Sequence, residues 1–157
     1  MAISTSEIFN TEGIQLPKDA FVVIVKTAWN AAQVDELTKA AVQTLKSKSV
    51  DYEVIEVPGA FEIPFAIQNC WNKGKKPHAF IALGCVIRGG TPHFEYVCRA
   101  VTDGISQLNL MLPVPTIFGI LTVDNIRQAN ERIGGEHGHK GTEAAVTALK
   151  MIEISLQ

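Results

Sequence analysis

Residues 88–93, Arg-Gly-Gly-Thr-Pro-His, bring a cation, two glycines, a hydroxyl and an imidazole onto one short stretch. Gly89 and Gly90 let the backbone approach a ligand closely and free it for positive φ. Thr91 is a good helix cap and Pro92 a good first helical residue. The unpaired N–H groups at such a helix start favour an anion, most simply a phosphate. His93 is then the second helical residue. The positive end of the helix dipole disfavours imidazolium there, which leaves a neutral ring able to accept a proton. Glu95 is near enough in sequence to orient it, although i and i+2 do not face each other along a regular helix. Taken alone, the turn reads equally well as a capped helix with an exposed histidine.

Other polar and aromatic groups collect at similar points. Thr27, Trp29 and Asn30 follow one apolar run; Pro58, Gly59, Ala60, Phe61 and Glu62 follow a second; Thr122 and Asp124 follow a fourth. Trp29 could stack on a planar heterocycle and Glu62 could grip sugar hydroxyls. The plainer readings are a core or interface aromatic and a first-turn acid that complements a helix dipole. Phe61 and Phe118 invite the same plain reading. Arg132 near a helix end and Lys140 in a glycine-rich loop suit an anion, or merely solvent. His137 and His139 form no metal-ligand pattern with cysteines nearby. The phosphate-binding loop, the dinucleotide fingerprint and the nucleophile elbow are missing, and no cysteine neighbours a histidine.

These groups need elements to position them. The segment 20–25, AFVVIV, is a continuous apolar strand of the type covered on both faces. Residues 30–48 have helical spacing at Val34, Leu37, Ala41, Val42 and Leu45, with Asn30 as cap. DYEVIEV (51–57) is a second strand, closed by Pro58-Gly59, and 60–73 a helix with Pro64 in its first turn. AFIALGCVI (79–87) is a third strand. Residues 92–112 form a helix that Gly104 weakens. The fourth strand becomes regular at Thr116, since Pro113 and Pro115 precede it. Asp124 caps a short helix, GGEHGHKG (134–141) is a loop, and 142–156 a last helix. Residues 1–18 read as an extended arm. Alternating strands and helices imply a parallel sheet with helices on both faces. The groups that follow the strands then share one edge of the sheet, where such folds bind ligands.

The totals narrow the function. A chain of 157 residues with 46% hydrophobic and 19% charged residues forms a core without staples, and one domain over 1–157 is expected. A net charge of −2 argues against general nucleic-acid binding. Three separated cysteines, Cys70, Cys85 and Cys98, fit a reduced compartment. With no signal peptide or spanning run in view, a cytoplasmic location is expected.

The segments VPGAFEIPFA (57–66), GCVIRGGTPHFEYVC (84–98), FGILTVDNIRQANERIGG (118–135) and GHKGTEAA (138–145) together resemble the lumazine synthase family. The resemblance implies condensation of 5-amino-6-(D-ribitylamino)uracil with 3,4-dihydroxy-2-butanone 4-phosphate to 6,7-dimethyl-8-ribityllumazine, with loss of phosphate and water. It implies no metal and no organic cofactor. The fold it implies is a three-layer α/β/α sandwich with a flavodoxin-like, four-stranded parallel sheet in the order 2-1-3-4. Carried over by position, Trp29 and Asn30 would meet the pyrimidine, and Ala60, Phe61 and Glu62 the ribityl chain. Cys85, Val86 and Ile87 would line the ring, and Gly90 and Thr91 would hold phosphate. His93 would move protons. Phe118, Arg132 and Lys140 would come from a neighbouring subunit, Arg132 onto the phosphate.

Positions also depart from the family pattern. Trp29 stands where phenylalanine is usual, Glu95 where aspartate is frequent, His139 where asparagine is frequent and Glu136 where a basic residue is frequent. A homopentamer is implied; some relatives build decamers or icosahedral shells. The loop 134–141 lacks an insertion, which leaves a shell open, and a free pentamer is the expectation. Two rival readings are a non-catalytic flavin- or lumazine-binding paralogue and a generic flavodoxin-like phosphate module. The second leaves the 60–64 and 131–141 segments unexplained.

Overall fold

The computed structural model describes residues 5–157. Most residues of β1 (Phe21–Thr27) and β3 (Ala79–Ile87) are buried, whereas β2 (Asp51–Val57) carries three acids and stays partly exposed. That difference sets the sheet. Uninterrupted apolar strands need cover on both faces and take the centre, while a charged strand tolerates an edge. The observed order is β2-β1-β3-β4, with β4 at Thr116–Val123 and each neighbouring pair parallel.

Alternate side chains of the central strands feed two cores. Val22, Ile24, Ile81 and Leu83 pack with Leu37 and Leu45 of α2 (Ala31–Ser47) and Leu149 and Ile152 of α6 (Lys140–Ser155). Val23, Val25, Phe80 and Ala82 pack with Ile63 and Ile67 of α3 (Ile63–Asn72) and Val101 and Ile105 of α4 (His93–Met111). Each fully buried side chain of this size contributes about 1.5–3 kcal/mol. The result is the expected three-layer α/β/α, flavodoxin-like architecture. β1 leads into α2 on one face and β3 into α4 on the other. Neighbouring strands whose chains diverge in this way leave a crevice at their carboxyl ends.

Several local expectations change. The arm is not wholly extended: Thr5–Ile8 is a helical turn, α1, whose Ile8 carbonyl accepts from Nζ of Lys150. Beyond it, Ile14 and Leu16 pack on the α2/α6 core, and the Gln15 N–H donates to Glu153 at 2.7 Å. Residues 1–4 of that arm lie outside the described residues. Residues 60–62 form a 3-10 turn before α3. The short helix α5 (Ile126–Asn130) is capped by Asn125, whose side chain accepts from the Gln128 N–H at 3.0 Å, and not by Asp124. The glycine-rich loop contains a small hairpin, β5 (Ile133–Gly135) with β6 (Gly138–His139), which Gly134 and Gly138 allow at φ 105° and 75°.

Gly104 has a packing reason. A Cβ there would lie 2.5 Å from Cγ of Pro64, so α4 can cross α3 only where it has no side chain. Gly104→Ala should gain about 1 kcal/mol in helix propensity and lose about 1–3 kcal/mol to overpacking. The expected outcome is a lower urea midpoint than wild type; an unchanged or higher midpoint would mean that the helices separate freely.

Candidate functional site

At the crevice, the turn after β1 is held before any ligand arrives. The Ala28 N–H donates to the Val57 carbonyl at 2.8 Å and the Trp29 N–H to the Pro58 carbonyl at 3.1 Å. Oγ1 of Thr27 donates to the Trp29 carbonyl at 3.2 Å. The backbone is fixed, yet the indole is 73% exposed. An ordered, exposed tryptophan is the mark of a stacking or interface residue.

Asn30 occupies the cap position of α2 but does not cap it with its side chain. It sits in the left-handed region, at φ 57°, and Nδ2 donates to the Cys85 carbonyl at 2.7 Å. A short polar residue tolerates that backbone, and its amide ties the turn after β1 to the end of β3. One of the two amide N–H donors is therefore committed to structure, and a ligand contact from Asn30 uses the other N–H or Oδ1.

The third turn departs by one position from the expected cap. α4 begins at His93, so Thr91 and Pro92 both precede it, and the His93 N–H reaches Oγ1 of Thr91 at a long 3.4 Å. Glu95 does not orient His93. Its carboxylate pairs with Nη1 of Arg88, which holds its pKa below the usual carboxylate value. Oε2 of Glu62 accepts from the Gly59 N–H at 3.0 Å. Among the described residues Oε1 takes no protein donor, which leaves it for a hydroxyl.

These segments close around one hollow of about 530 Å³. It is lined by Thr27, Trp29, Asn30, Gly59, Ala60, Phe61, Glu62, Cys85, Val86, Ile87, Gly89, Thr91, His93, Phe94 and Val97. The ends of β1 and β3 and the turn after β2 therefore meet at this hollow, whereas Pro58, Thr122 and Asp124, expected at the same edge, are not among its walls. Gly90 is exposed beside the hollow and is not among its walls. Burial pushes the Cys85 thiol up to about 11, so it is a neutral wall and not a nucleophile at neutral pH. Phe94 and Val97 escaped the sequence reading. The signal was available, since Val97 lies four residues from His93 on one helix face.

Phe118, Arg132 and Lys140 stand apart from this group. They line a second hollow of about 550 Å³, with Phe9 of the arm and with Glu143, and the two hollows share no residue. Phe118 projects from the edge strand β4 and is 42% exposed. Arg132 donates from Nη1 to the Gln128 carbonyl at 2.8 Å, and Lys140 pairs with Glu143 at 2.7 Å. Glu136, in the turn between β5 and β6, is exposed and lines neither hollow. His139 caps α6: its Nδ1 accepts from the Gly141 N–H at 3.2 Å. Capping is a role asparagine also fills well.

A family model described as 6,7-dimethyl-8-ribityllumazine synthase matches residues 19–155. The chain is similar to the 6,7-dimethyl-8-ribityllumazine synthase of Parabacteroides distasonis, with 47% identity over 135 residues, 84% of this chain and 84% of that protein. It is similar also to the protein of the same name from Porphyromonas gingivalis, with 46% identity over 146 residues, 91% of this chain and 90% of that protein.

Burial lowers the His139 pKa from its ordinary value of 6.5. The folded state thus favours the neutral ring, and a protonated Nδ1 cannot accept the Gly141 N–H. Stability is full above the ordinary value and falls as pH drops through the lowered one. His139→Asn keeps the cap without the titration. Its urea midpoint should match wild type near neutral pH and fall less on acidification to about pH 5. Equal acid sensitivity of the two proteins would remove His139 as a cause.

Proposed function

As the chain belongs to the 6,7-dimethyl-8-ribityllumazine synthase family, we propose that the crevice hollow and the Phe118–Arg132–Lys140 hollow are two halves of its active site. The protein is a transferase of riboflavin biosynthesis. It condenses 5-amino-6-(D-ribitylamino)uracil with 3,4-dihydroxy-2-butanone 4-phosphate to form 6,7-dimethyl-8-ribityllumazine, releasing phosphate and water. The observation that carries the site proposal is the separation of the two sets of walls. In one chain Arg132 and Lys140 line a hollow that has no wall residue in common with the crevice, and a neighbouring copy would supply them to it. The assembly proposed is a homopentamer, each site lying between adjacent subunits. The exposed Phe61, Phe65 and Phe118 suit burial on assembly. No described helix is long and apolar enough to cross a membrane. A single domain working on soluble substrates in the cytoplasm is the setting proposed.

Within the site, Trp29 stacks on the pyrimidine, with Cys85, Val86 and Ile87 along the ring. Glu62 takes ribityl hydroxyls through Oε1, supported by the backbone of Ala60 and Phe61. The phosphate of the second substrate rests on the N–H groups near Gly90, Thr91 and the start of α4, where the dipole favours negative charge. Arg132 of the adjacent subunit answers it from the other side, with Lys140 close by. The pyrimidine amine attacks the butanone carbonyl and a Schiff base forms with loss of water. Phosphate is then eliminated, the resulting enol becomes a carbonyl, and the ribitylamino nitrogen attacks it to close the ring with loss of a second water. His93 moves the protons between these steps. Holding two substrates together supplies a large part of the rate, so no single side chain is indispensable.

The overall reading is tested by mixing the purified protein with both substrates and following lumazine absorbance; binding of flavin without turnover would contradict it. His93→Ala should slow turnover by about a hundredfold without abolishing it. Arg132→Ala should chiefly raise KM for the phosphorylated substrate. Normal kinetics in either variant would remove the corresponding role.

A further inference from the structure

Arg88 is the first residue beyond β3. Its N–H donates to the Val123 carbonyl at 2.9 Å, which extends the β3–β4 ladder by one bond. Its guanidinium then makes three contacts. Nε donates to Oδ1 of Asp124 at 2.8 Å, Nη1 donates to Oε1 of Glu95, and the guanidinium carbon lies 4.2 Å from the centre of the Phe94 ring. Asp124 follows β4, and Glu95 and Phe94 belong to the first turn of α4. One side chain thus joins the ends of both strands to the start of the helix.

The segment enclosed by these contacts has little else to hold it. At Gly89 and Gly90 nothing lies within 4 Å of where a Cβ would stand. Thr91 and His93 are exposed, and their mutual hydrogen bond is long at 3.4 Å. A glycine pair without contacts samples many conformations. The order of the turn must therefore come from its ends, and Arg88 reaches both.

Charge argues against Arg88 as a phosphate ligand. One guanidinium faces two carboxylates, both held by Arg88 below their usual pKa values and so ionised at neutral pH. An anion approaching the group meets a net negative charge. Arg88 is also absent from the walls of the crevice hollow, whereas Phe94, on which it stacks, is one of them.

We infer that Arg88 is a positioning residue: with Glu95 and Asp124 it clamps the glycine turn so that Thr91, His93 and Phe94 face the hollow in one arrangement. The inference rests on the function proposed above and adds a determinant of how the phosphorylated substrate is held. The clamp is exposed, with the three side chains at 43%, 54% and 61%, so its contribution to overall stability is small and its effect is local.

The test compares Arg88→Met, Arg88→Lys and the double variant Glu95→Gln/Asp124→Asn with wild type. For Arg88→Met, KM for the butanone phosphate should rise about tenfold, while KM for the ribitylaminopyrimidine and the melting temperature stay close to wild type. Arg88→Lys should lie between the two. The double variant decides between clamp and ligand. A clamp without its carboxylates fails, so KM for the butanone phosphate rises; a ligand freed of them binds better, so KM falls and the inference is overturned. Wild-type KM in both Arg88→Met and the double variant would overturn it as well. If wild type formed no lumazine, the functional reading would fail separately. Titration calorimetry with inorganic phosphate would then read the clamp: weaker binding by Arg88→Met supports it, and equal binding overturns it.

Discussion

Neighbouring parallel strands β1 and β3 end at the same edge of the sheet and send their chains to opposite faces. Everything that the protein can do with two small molecules depends on the crevice this leaves. Parallel pairing is only available because both strands are apolar on both faces and helices cover them. The turn after β1 must then present Trp29, and the turn after β3 must present Thr91 and His93. The hydrogen bond from Asn30 to the Cys85 carbonyl stitches those two turns together across the switch.

In the proposed function the crevice is one half of a site. Trp29, Glu62 and His93 meet there, but Arg132, the cation proposed for the phosphate, lies in another hollow beside the edge strand. Separating the halves has a physical consequence. The chain leaves large aromatic side chains such as Phe61 and Phe118 exposed, and the proposed assembly would cover them as it completes the anion site. The arm takes part in this arrangement, since Phe9 lines the second hollow with Arg132 and Lys140.

Much of this was legible in the sequence because it depends on local pattern. The apolar runs gave the strands, the two prolines gave the start of β4 at Thr116, and the residues after the first three strands gave most of the walls of the crevice. What was not legible depends on which groups meet after folding. Asp124 looked like a cap, yet it faces Arg88 from 36 residues away and Asn125 caps in its place. Glu95 looked like a partner for His93 but turns to the same arginine. His139 looked like a loop histidine, and Asn30 like a capping side chain; each is committed to a backbone group that no spacing rule identifies. Gly104 looked like a weakness until Pro64 was placed against it.

The central claim is that His93 of one subunit works with Arg132 of the next. His93→Ala and Arg132→Ala proteins should be dissociated together in equal amounts and reassembled. Random mixing makes about a quarter of the sites wild type in both positions, so with the butanone phosphate held below its KM the mixture should recover about a quarter of wild-type activity while each parent stays low. A mixture no more active than the mean of its parents would place both residues in the same chain's site and contradict the account.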